Sequence, residues 1–139
     1  MFLLDTNAVS EPGRLRPDPT FLAWFDSTPE PLQFLSALTV GEMRRGTDAM
    51  APGRQRSQLE AVQTLLVTKH AARIFPVDLE VSLRWASLSL ANRLVGRNVG
   101  VIDELVAATA LVHDMTVVTR NTRHFEHSGC KILSPWSAP

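Results

Sequence analysis

The sequence predicts an α/β protein in which a mostly parallel central sheet of about five strands lies between two layers of helices. Short continuous apolar runs, such as residues 2–4, are typical of strands buried on both faces. Segments with helical spacing separate these runs, and such alternation indicates parallel strands joined by crossover helices. The 139 residues are 45% hydrophobic and 20% charged, so we expect a single globular domain over 1–139.

The first predicted strand, residues 2–4, is followed by a short helical turn at Asn7 to Glu11. Pro12-Gly13 ends that turn, because proline lacks the N–H that a continuing helix needs. A loop leads to Asp18-Pro19, the usual N-cap and first-turn pair of a helix. The apolar residues of this second helix are Phe21, Leu22, Trp24 and Phe25.

The second predicted strand is 33–38, and the helix after it is expected to begin at Thr39. Thr39-Val40-Gly41-Glu42 matches a capping box, which would place Glu42 at the third helical position. Pro52-Gly53 ends this helix. Residues 54–70 then show helical spacing of apolar residues, through Leu59, Val62, Leu65 and Leu66.

The third strand is predicted at 73–77, and Asp78 is expected to cap a helix that continues to Val95. Its predicted inward residues are Val81, Trp85, Leu88 and Leu94. A turn at 96–100 precedes a helix at 102–113, whose small residues allow close packing on a sheet. The β-branched run 115–119 is the fourth strand and 131–133 the last.

Charge and cysteine content exclude several classes of protein. Fourteen basic and fourteen acidic residues give zero formal net charge, so any contact with nucleic acid must come from a local patch. One cysteine, Cys130, excludes an internal disulfide framework and a multi-cysteine zinc site. No apolar stretch is long enough to span a bilayer and the first residues do not resemble a signal peptide. We therefore expect a cytoplasmic protein without a membrane partner.

Polar residues are predicted to gather at one edge of the sheet. Asp5 follows the first strand, and Asn121 follows the fourth. Glu42 lies near the start of the helix after strand two, and Asp103 near the start of the helix that leads back to strand four. In a doubly wound sheet, strand carboxyl ends and these helix starts share one edge, where ligands bind. Capping alone would also explain Glu42.

Converging carboxylates cannot all stay ionised unless a cation joins them. Carboxylate and amide oxygens suit Mg²⁺ or Mn²⁺, which can activate water and neutralise phosphate charge. Zinc is disfavoured, because the four histidines lack ligand spacing. Thr6 and Asn7 could orient ligands, as could Thr119. Arg120 could contact a substrate phosphate or pair with an acid, and His124 or His127 could contact phosphate or simply be surface residues.

The chain resembles the PIN-domain ribonucleases, and within them the VapC toxins of toxin–antitoxin pairs, particularly a FitB-like subgroup. Each motif alone is weak, but their order and spacing are specific and cover nearly the whole chain. The motifs that carry the resemblance are Leu3-Leu4-Asp5-Thr6-Asn7 with Ser10-Glu11-Pro12, Leu35 to Glu42, Ile102 to Ala110, Val117 to Phe125, and Ser134-Pro135-Trp136.

The resemblance implies a three-layer PIN fold and a Mg²⁺- or Mn²⁺-dependent endoribonuclease that blocks translation. It implies that Asp5, Glu42 and Asp103 hold the metal, with Asn121 in support. The family often has acids at the positions of Asn121 and His124, so this chain departs from the pattern there, which puts a second metal site in doubt.

The resemblance also implies partners. The toxin would form a homodimer and would bind a VapB-like antitoxin that inserts a basic side chain near the carboxylates. It would take RNA as its substrate and would contact DNA only indirectly, through the antitoxin. Apolar residues of 19–26 and 40–66 are candidate docking surfaces, although core packing would explain many of them equally well.

Two alternatives remain open from the sequence. The first is a catalytically silent PIN-fold domain that acts by binding a partner, which the missing fourth acid motivates. The second is a DNA-directed nuclease of similar chemistry.

Overall fold

The computed structural model describes residues 1–137, which form a five-stranded parallel sheet in the order β3-β2-β1-β4-β5. The strands are β1 Phe2–Leu4, β2 Gln33–Ser36, β3 Ile74–Phe75, β4 Thr116–Val118 and β5 Lys131–Leu133. The helices are α1 Thr6–Ser10, α2 Pro19–Ser27, α3 Ala37–Asp48, α4 Arg54–Lys69, α5 Leu79–Leu94 and α6 Val101–Val112. The predicted sheet type and its five strands are confirmed.

Strand β1 is the centre of the sheet, with Leu3 paired beside Phe34 of β2 and Val117 of β4. Successive side chains of a strand point to opposite faces. Leu3 accordingly packs under α6 and α5, whereas Leu4 packs under α1 and α2. Two separate apolar cores result, one on each face, as a three-layer α/β/α fold requires.

Local capping signals place two of the helices as predicted. The Asp18 carboxylate accepts hydrogen bonds from the N–H groups of Thr20 and Phe21, and Pro19 is the first residue of α2. The Asp78 carboxylate similarly accepts from the Val81 N–H at the start of α5. These side chains satisfy N–H groups that have no partner within the helix.

The predicted capping box is wrong. Strand β2 ends at Ser36, whose hydroxyl oxygen accepts from the Leu38 N–H, so α3 begins at Ala37 rather than after Thr39. Thr39 is instead fully buried inside the first turn of the helix. Glu42 consequently lies in the second turn of α3, where its side chain is not used to cap the helix.

Smaller differences have local causes. β3 covers only two residues because Arg73 belongs to a 3₁₀ turn and Pro76 lacks a donor for the sheet. Leu94 is 77% exposed rather than inward. The buried face of α5 ends at Asn92, and two further residues turn the helix by about 200°, which carries Leu94 to the opposite side. The predicted start of α1 is one residue late, since Thr6 is already helical.

Helix α4 follows the predicted range but contributes no fully buried residue. Val62 and Leu65 are 56% and 70% exposed, and Leu59 is exposed as well. Most of its apolar stripe therefore faces outward or into a groove, whereas Leu66 packs against the core beneath α1 and α2. No helix within residues 1–137 has the length and apolar character needed to cross a membrane.

Candidate functional site

The strand order creates a switch point at the carboxyl ends of β1 and β4. From β1 the chain builds outward through β2 and β3, then returns to the other side of β1 to add β4 and β5. The crevice at such a reversal is where open α/β sheets bind ligands. Asp5 follows β1 here and Thr119 follows β4, and the Asp5 N–H donates to the Val118 carbonyl at 3.0 Å.

Asp5 is held as a nearly buried carboxylate. Only 4% of the residue is exposed, and its oxygens accept from the Thr6 N–H at 2.8 Å, the Thr119 hydroxyl at 2.9 Å and the Asn7 amide at 3.2 Å. Burial raises the pKa of Asp5 above its ordinary value. The bonds from Thr6 and Thr119 oppose that rise, whereas the negative charges of Asp103 and Glu42 add to it.

Thr6 and Asn7 connect Asp5 to the elements around it. The Thr6 hydroxyl donates to Glu42 Oε1 at 2.7 Å, which joins the start of α1 to the second turn of α3. The side-chain amide oxygen of Asn7 accepts from the Arg120 backbone N–H at 2.9 Å, which joins α1 to the segment after β4. Two polar side chains thereby fix the relative positions of three elements that surround the crevice.

Asp103 reaches the same edge from the first turn of α6. Its side chain is 24% exposed and lies 2.7 Å from His124 Nδ1, in the 3₁₀ turn that follows β4. The sequence offered two interpretations of His124, a phosphate contact or a surface residue, and contact with Asp103 was in neither. The only signal was its position three residues after Asn121, on the same turn.

Asn121 and Arg120 are exposed at the end of β4. The Asn121 N–H donates to the Thr119 hydroxyl oxygen at 3.0 Å, but its side chain bonds to none of the carboxylates. The Arg120 guanidinium forms no ion pair within the described chain, so pairing with an acid is not what holds this side chain.

The donor atoms at this edge fit a hard divalent cation, since carboxylate and hydroxyl oxygens are its preferred ligands. The side chains nevertheless do not gather as expected. Over residues 1–137, no three Asp, Glu, His or Cys side chains stand together closely enough to hold one ion. Glu42 is bonded to Thr6 and Asp103 to His124, and mutual repulsion favours this separation of like charges. Only Oδ2 of Asp103 bonds to His124, so its second oxygen has no hydrogen-bond partner within residues 1–137.

A groove adjoins the carboxylates between α1, α3 and α4. It encloses about 490 Å³, and Thr6 and Glu42 both contribute to its wall. Its other lining is mainly apolar, from Phe25, Met43, Met50, Leu59, Val62 and Leu66. We call this space the α3–α4 groove. Part of the predicted docking segment 40–66 therefore lines this groove. Of the other predicted docking segment, 19–26, Phe25 also lines the groove, but Phe21 is fully buried in the core.

Comparison with known proteins agrees with the architecture of this site. The PIN domain family model matches residues 2–129. The chain is 37% identical over 137 residues to the VapC ribonuclease Y4jK of Sinorhizobium fredii, covering 98% of each chain. It is 35% identical to the toxin FitB of Neisseria gonorrhoeae, covering 98% of this chain and 99% of that one.

A solved structure of FitAB bound to the IR36 DNA fragment contains a chain that superposes on this one with a TM-score of 0.93. The two are 36% identical, and the alignment covers 100% of this chain and 98% of that chain. Both the match over most of the sequence and the shared three-dimensional arrangement lead to the same assignment. The chain belongs to the PIN-domain family.

Proposed function

We propose that this protein is a divalent-metal-dependent endoribonuclease and the toxin of a toxin–antitoxin pair. The observation that carries the proposal is the buried Asp5 carboxylate at the switch point. Its pKa is raised by burial and by the negative charges of Asp103 and Glu42. A bound cation would stabilise the ionised form of such a carboxyl group, because its charge offsets both the cost of burial and the repulsion from neighbouring carboxylates. The kinship with a VapC ribonuclease and with FitB supports the same function.

Asp5, Glu42 and Asp103 would hold Mg²⁺ or Mn²⁺. When bound, the ion supplies a nucleophilic water at neutral pH and neutralises charge on the phosphate that is cleaved. The protein's own part is orientation. The N–H of Thr6 and the hydroxyl of Thr119 hold Asp5, and the Thr6 hydroxyl directs Glu42. His124 fixes Asp103 before substrate arrives.

Asn121 supports the site as a neutral group. Its amide oxygen can accept a hydrogen bond from water or from the substrate, but it adds no charge to the three carboxylates. Arg120 is exposed beside it and has no competing ion pair in the described chain, so it is available to a substrate phosphate.

The test is cleavage of a mixed-sequence RNA oligonucleotide with Mg²⁺ or Mn²⁺ by the wild-type protein and by Asp5→Asn. We expect the variant to lose cleavage while its circular dichroism spectrum stays that of a folded protein. Asp114→Asn is the matched control, because Asp114 is exposed and has a φ of 49°, a conformation that asparagine tolerates well. Metal-dependent cleavage by Asp5→Asn at the wild-type rate would contradict the assignment.

The partner we propose is a VapB-like antitoxin bound in the α3–α4 groove. A similar chain was solved within FitAB bound to a DNA fragment, which supports a protein partner and a complex that binds DNA. An apolar segment would cover the exposed side chains of α4, and a basic residue from it would meet Glu42. A homodimer of the toxin is part of the same proposal. If a short reading frame lies beside the gene, co-expression with its product should yield a co-purifying complex without nuclease activity.

A silent binding domain is the second candidate, favoured by the neutral Asn121 and by the separation of the carboxylates. Calorimetric titration of the protein with Mn²⁺, alone and with RNA present, separates the two. No detectable binding in either titration would favour the silent domain. Parallel assays on RNA and DNA of one sequence would identify a DNA-directed nuclease.

A further inference from the structure

A second cavity lies beside the carboxylate site, and the proposed reaction does not use it. It encloses about 260 Å³ between the end of α5, the 96–100 turn, the start of α6 and the turn at 122–128. His124, which contacts Asp103, forms part of its wall. The volume is below the range of about 300–1,000 Å³ that drug-sized ligands occupy, and suits one smaller unit. We call this space the α5–α6 pocket.

A carboxylate forms the polar floor of the α5–α6 pocket. Glu104 is only 6% exposed, and its oxygens accept from the Trp85 indole N–H at 2.9 Å and from the Asn92 amide at 3.4 Å. No arginine, lysine or histidine pairs with it among residues 1–137. A carboxylate has about four acceptor positions, so two stay available to a ligand that brings N–H donors.

The rim of the α5–α6 pocket carries positive charge. Arg97 and Arg123 line it and supply this charge, and His127 is a further lining residue. No ion pair within the described chain engages any of the three. The net charge of the protein is zero, so a local group of this kind is what an anion would recognise. Guanidinium groups suit phosphate because they donate two parallel hydrogen bonds.

The backbone holds this rim in place. Helix α5 ends in a Schellman motif, in which the Gly96 N–H donates to the Arg93 carbonyl and the Arg97 N–H donates to the Asn92 carbonyl. Gly96 has a φ of +70°, the left-handed conformation that this motif needs. The rim arginine and the floor residue Asn92 are therefore joined by one backbone hydrogen bond, at 2.9 Å.

We propose that the α5–α6 pocket is a nucleotide subsite that selects a guanine base next to the cleaved bond. The inference rests on the proposed function and names the part of the RNA that the site reads. Arg97 and Arg123 bind a backbone phosphate, and Glu104 accepts hydrogen bonds from the base. Guanine fits best because its N1–H and N2–H₂ donors are adjacent on the Watson–Crick edge, an edge that proteins read in single-stranded RNA. Uracil offers one N–H between two carbonyls that would repel the carboxylate.

The Trp85 indole N–H provides a direct readout, because it donates to Glu104 and gives its own signal in a ¹H–¹⁵N NMR spectrum. The experiment titrates the full-length protein, in EDTA, with GMP, AMP, CMP, UMP and ribose 5-phosphate. We expect GMP to shift the Trp85 signal, with Trp24 and Trp136 as internal controls that stay unchanged. GMP should bind roughly tenfold more tightly than UMP, the discrimination of a good bidentate base contact.

Two substitutions separate the floor from the rim. Glu104→Gln keeps an oxygen acceptor for Trp85 and should remove the preference for GMP while leaving ribose 5-phosphate binding intact. Arg123→Gln should weaken all five ligands. Arg84→Gln, at an exposed position on α5, is the matched control and should change nothing. If Glu104→Gln does not fold, the wild-type ligand series and Arg123→Gln still decide the matter.

The proposal is overturned if GMP shifts the Trp85 signal no more than UMP does, or if Arg123→Gln binds every ligand as tightly as the wild type. Binding is measured without metal and without cleavage, so it is independent of the proposed activity. Guanine-selective binding by a protein that cuts no RNA would refute the nuclease and leave the α5–α6 pocket as a guanine-binding site. RNA cleavage together with unselective nucleotide binding would refute only the subsite.

Discussion

Replacing Thr119 by valine removes one hydroxyl from the centre of the site and leaves the volume of the side chain nearly unchanged. Thr119 is fully buried, and its hydroxyl donates to the Asp5 carboxylate at 2.9 Å while accepting from the Asn121 N–H at 3.0 Å. Hydrogen bonds to charged groups contribute about 1.5–3 kcal/mol each. We expect Thr119→Val to lower the free energy of unfolding by about 2 kcal/mol at pH 7, and the melting temperature by roughly 5–8 °C.

This loss should depend on pH, because it acts on the ionised form of Asp5. The Thr119 bond lowers the pKa of Asp5 against the larger effect of burial, so the variant should have a still higher Asp5 pKa. The full penalty applies above the folded-state Asp5 pKa of the variant. As pH falls from there to the lower folded-state pKa of the wild type, Asp5 of the variant takes up its proton first, so the difference in stability between variant and wild type should shrink.

The assay is urea unfolding of wild type and Thr119→Val in EDTA from pH 7 to pH 4, repeated in the Asp5→Asn background. The double-mutant cycle should give a coupling energy of about 1 kcal/mol or more. Thr64→Val is the control, since Thr64 is exposed on α4 and bonds only to its own helix, and a change below about 0.5 kcal/mol is expected. A penalty equal in both backgrounds and constant with pH would refute the reasoning.

Three further results are expected. Burial would raise the pKa of Glu11, but hydrogen bonds, first that from the Asp18 N–H at 2.8 Å, and the charge of Arg14 together lower that pKa. Ionised Glu11 therefore contributes to the free energy of unfolding above its unfolded-state pKa, and this contribution is lost as pH falls through its folded-state pKa. Glu11→Gln should accordingly make the free energy of unfolding, measured with urea, depend less on pH in the acid range. Gly96→Ala should lower the free energy of unfolding by about 1–2 kcal/mol in chemical denaturation, because alanine is strained at a φ of +70°. Mn²⁺ at a hundred times its dissociation constant should stabilise the protein by about 2.7 kcal/mol in calorimetry, and an unchanged melting temperature would count against a metal site.

Elements with strong local signals were predictable from the sequence. Asp18-Pro19 begins α2 as expected, because the cap and the proline act within a few residues of each other. The position of Asp5 after β1 was likewise accessible, since a buried strand followed by small polar residues has few alternatives.

Other features depend on contacts between distant segments. Ser36 and Thr39 could each cap α3, and pairing of β2 with β1 and β3 decided where the strand ends. The contact of His124 with Asp103 depends on the turn after β4, which no local pattern specifies. Leu59, Val62 and Leu65 of α4 have the spacing of core residues yet remain exposed. Periodicity alone does not distinguish an apolar stripe that packs on a sheet from one that the fold leaves uncovered.

The contact between Thr6 and Glu42 belongs both to the edge where the carboxylates lie and to the wall of the α3–α4 groove. A ligand seated in the groove would touch two of the proposed site residues directly, so inhibition of the proposed nuclease would need no signal transmitted across the fold. Changes at either residue should therefore alter enzymatic turnover and partner affinity together. A mutation at this contact that prevents inhibition by the partner would then also lower the activity of the protein.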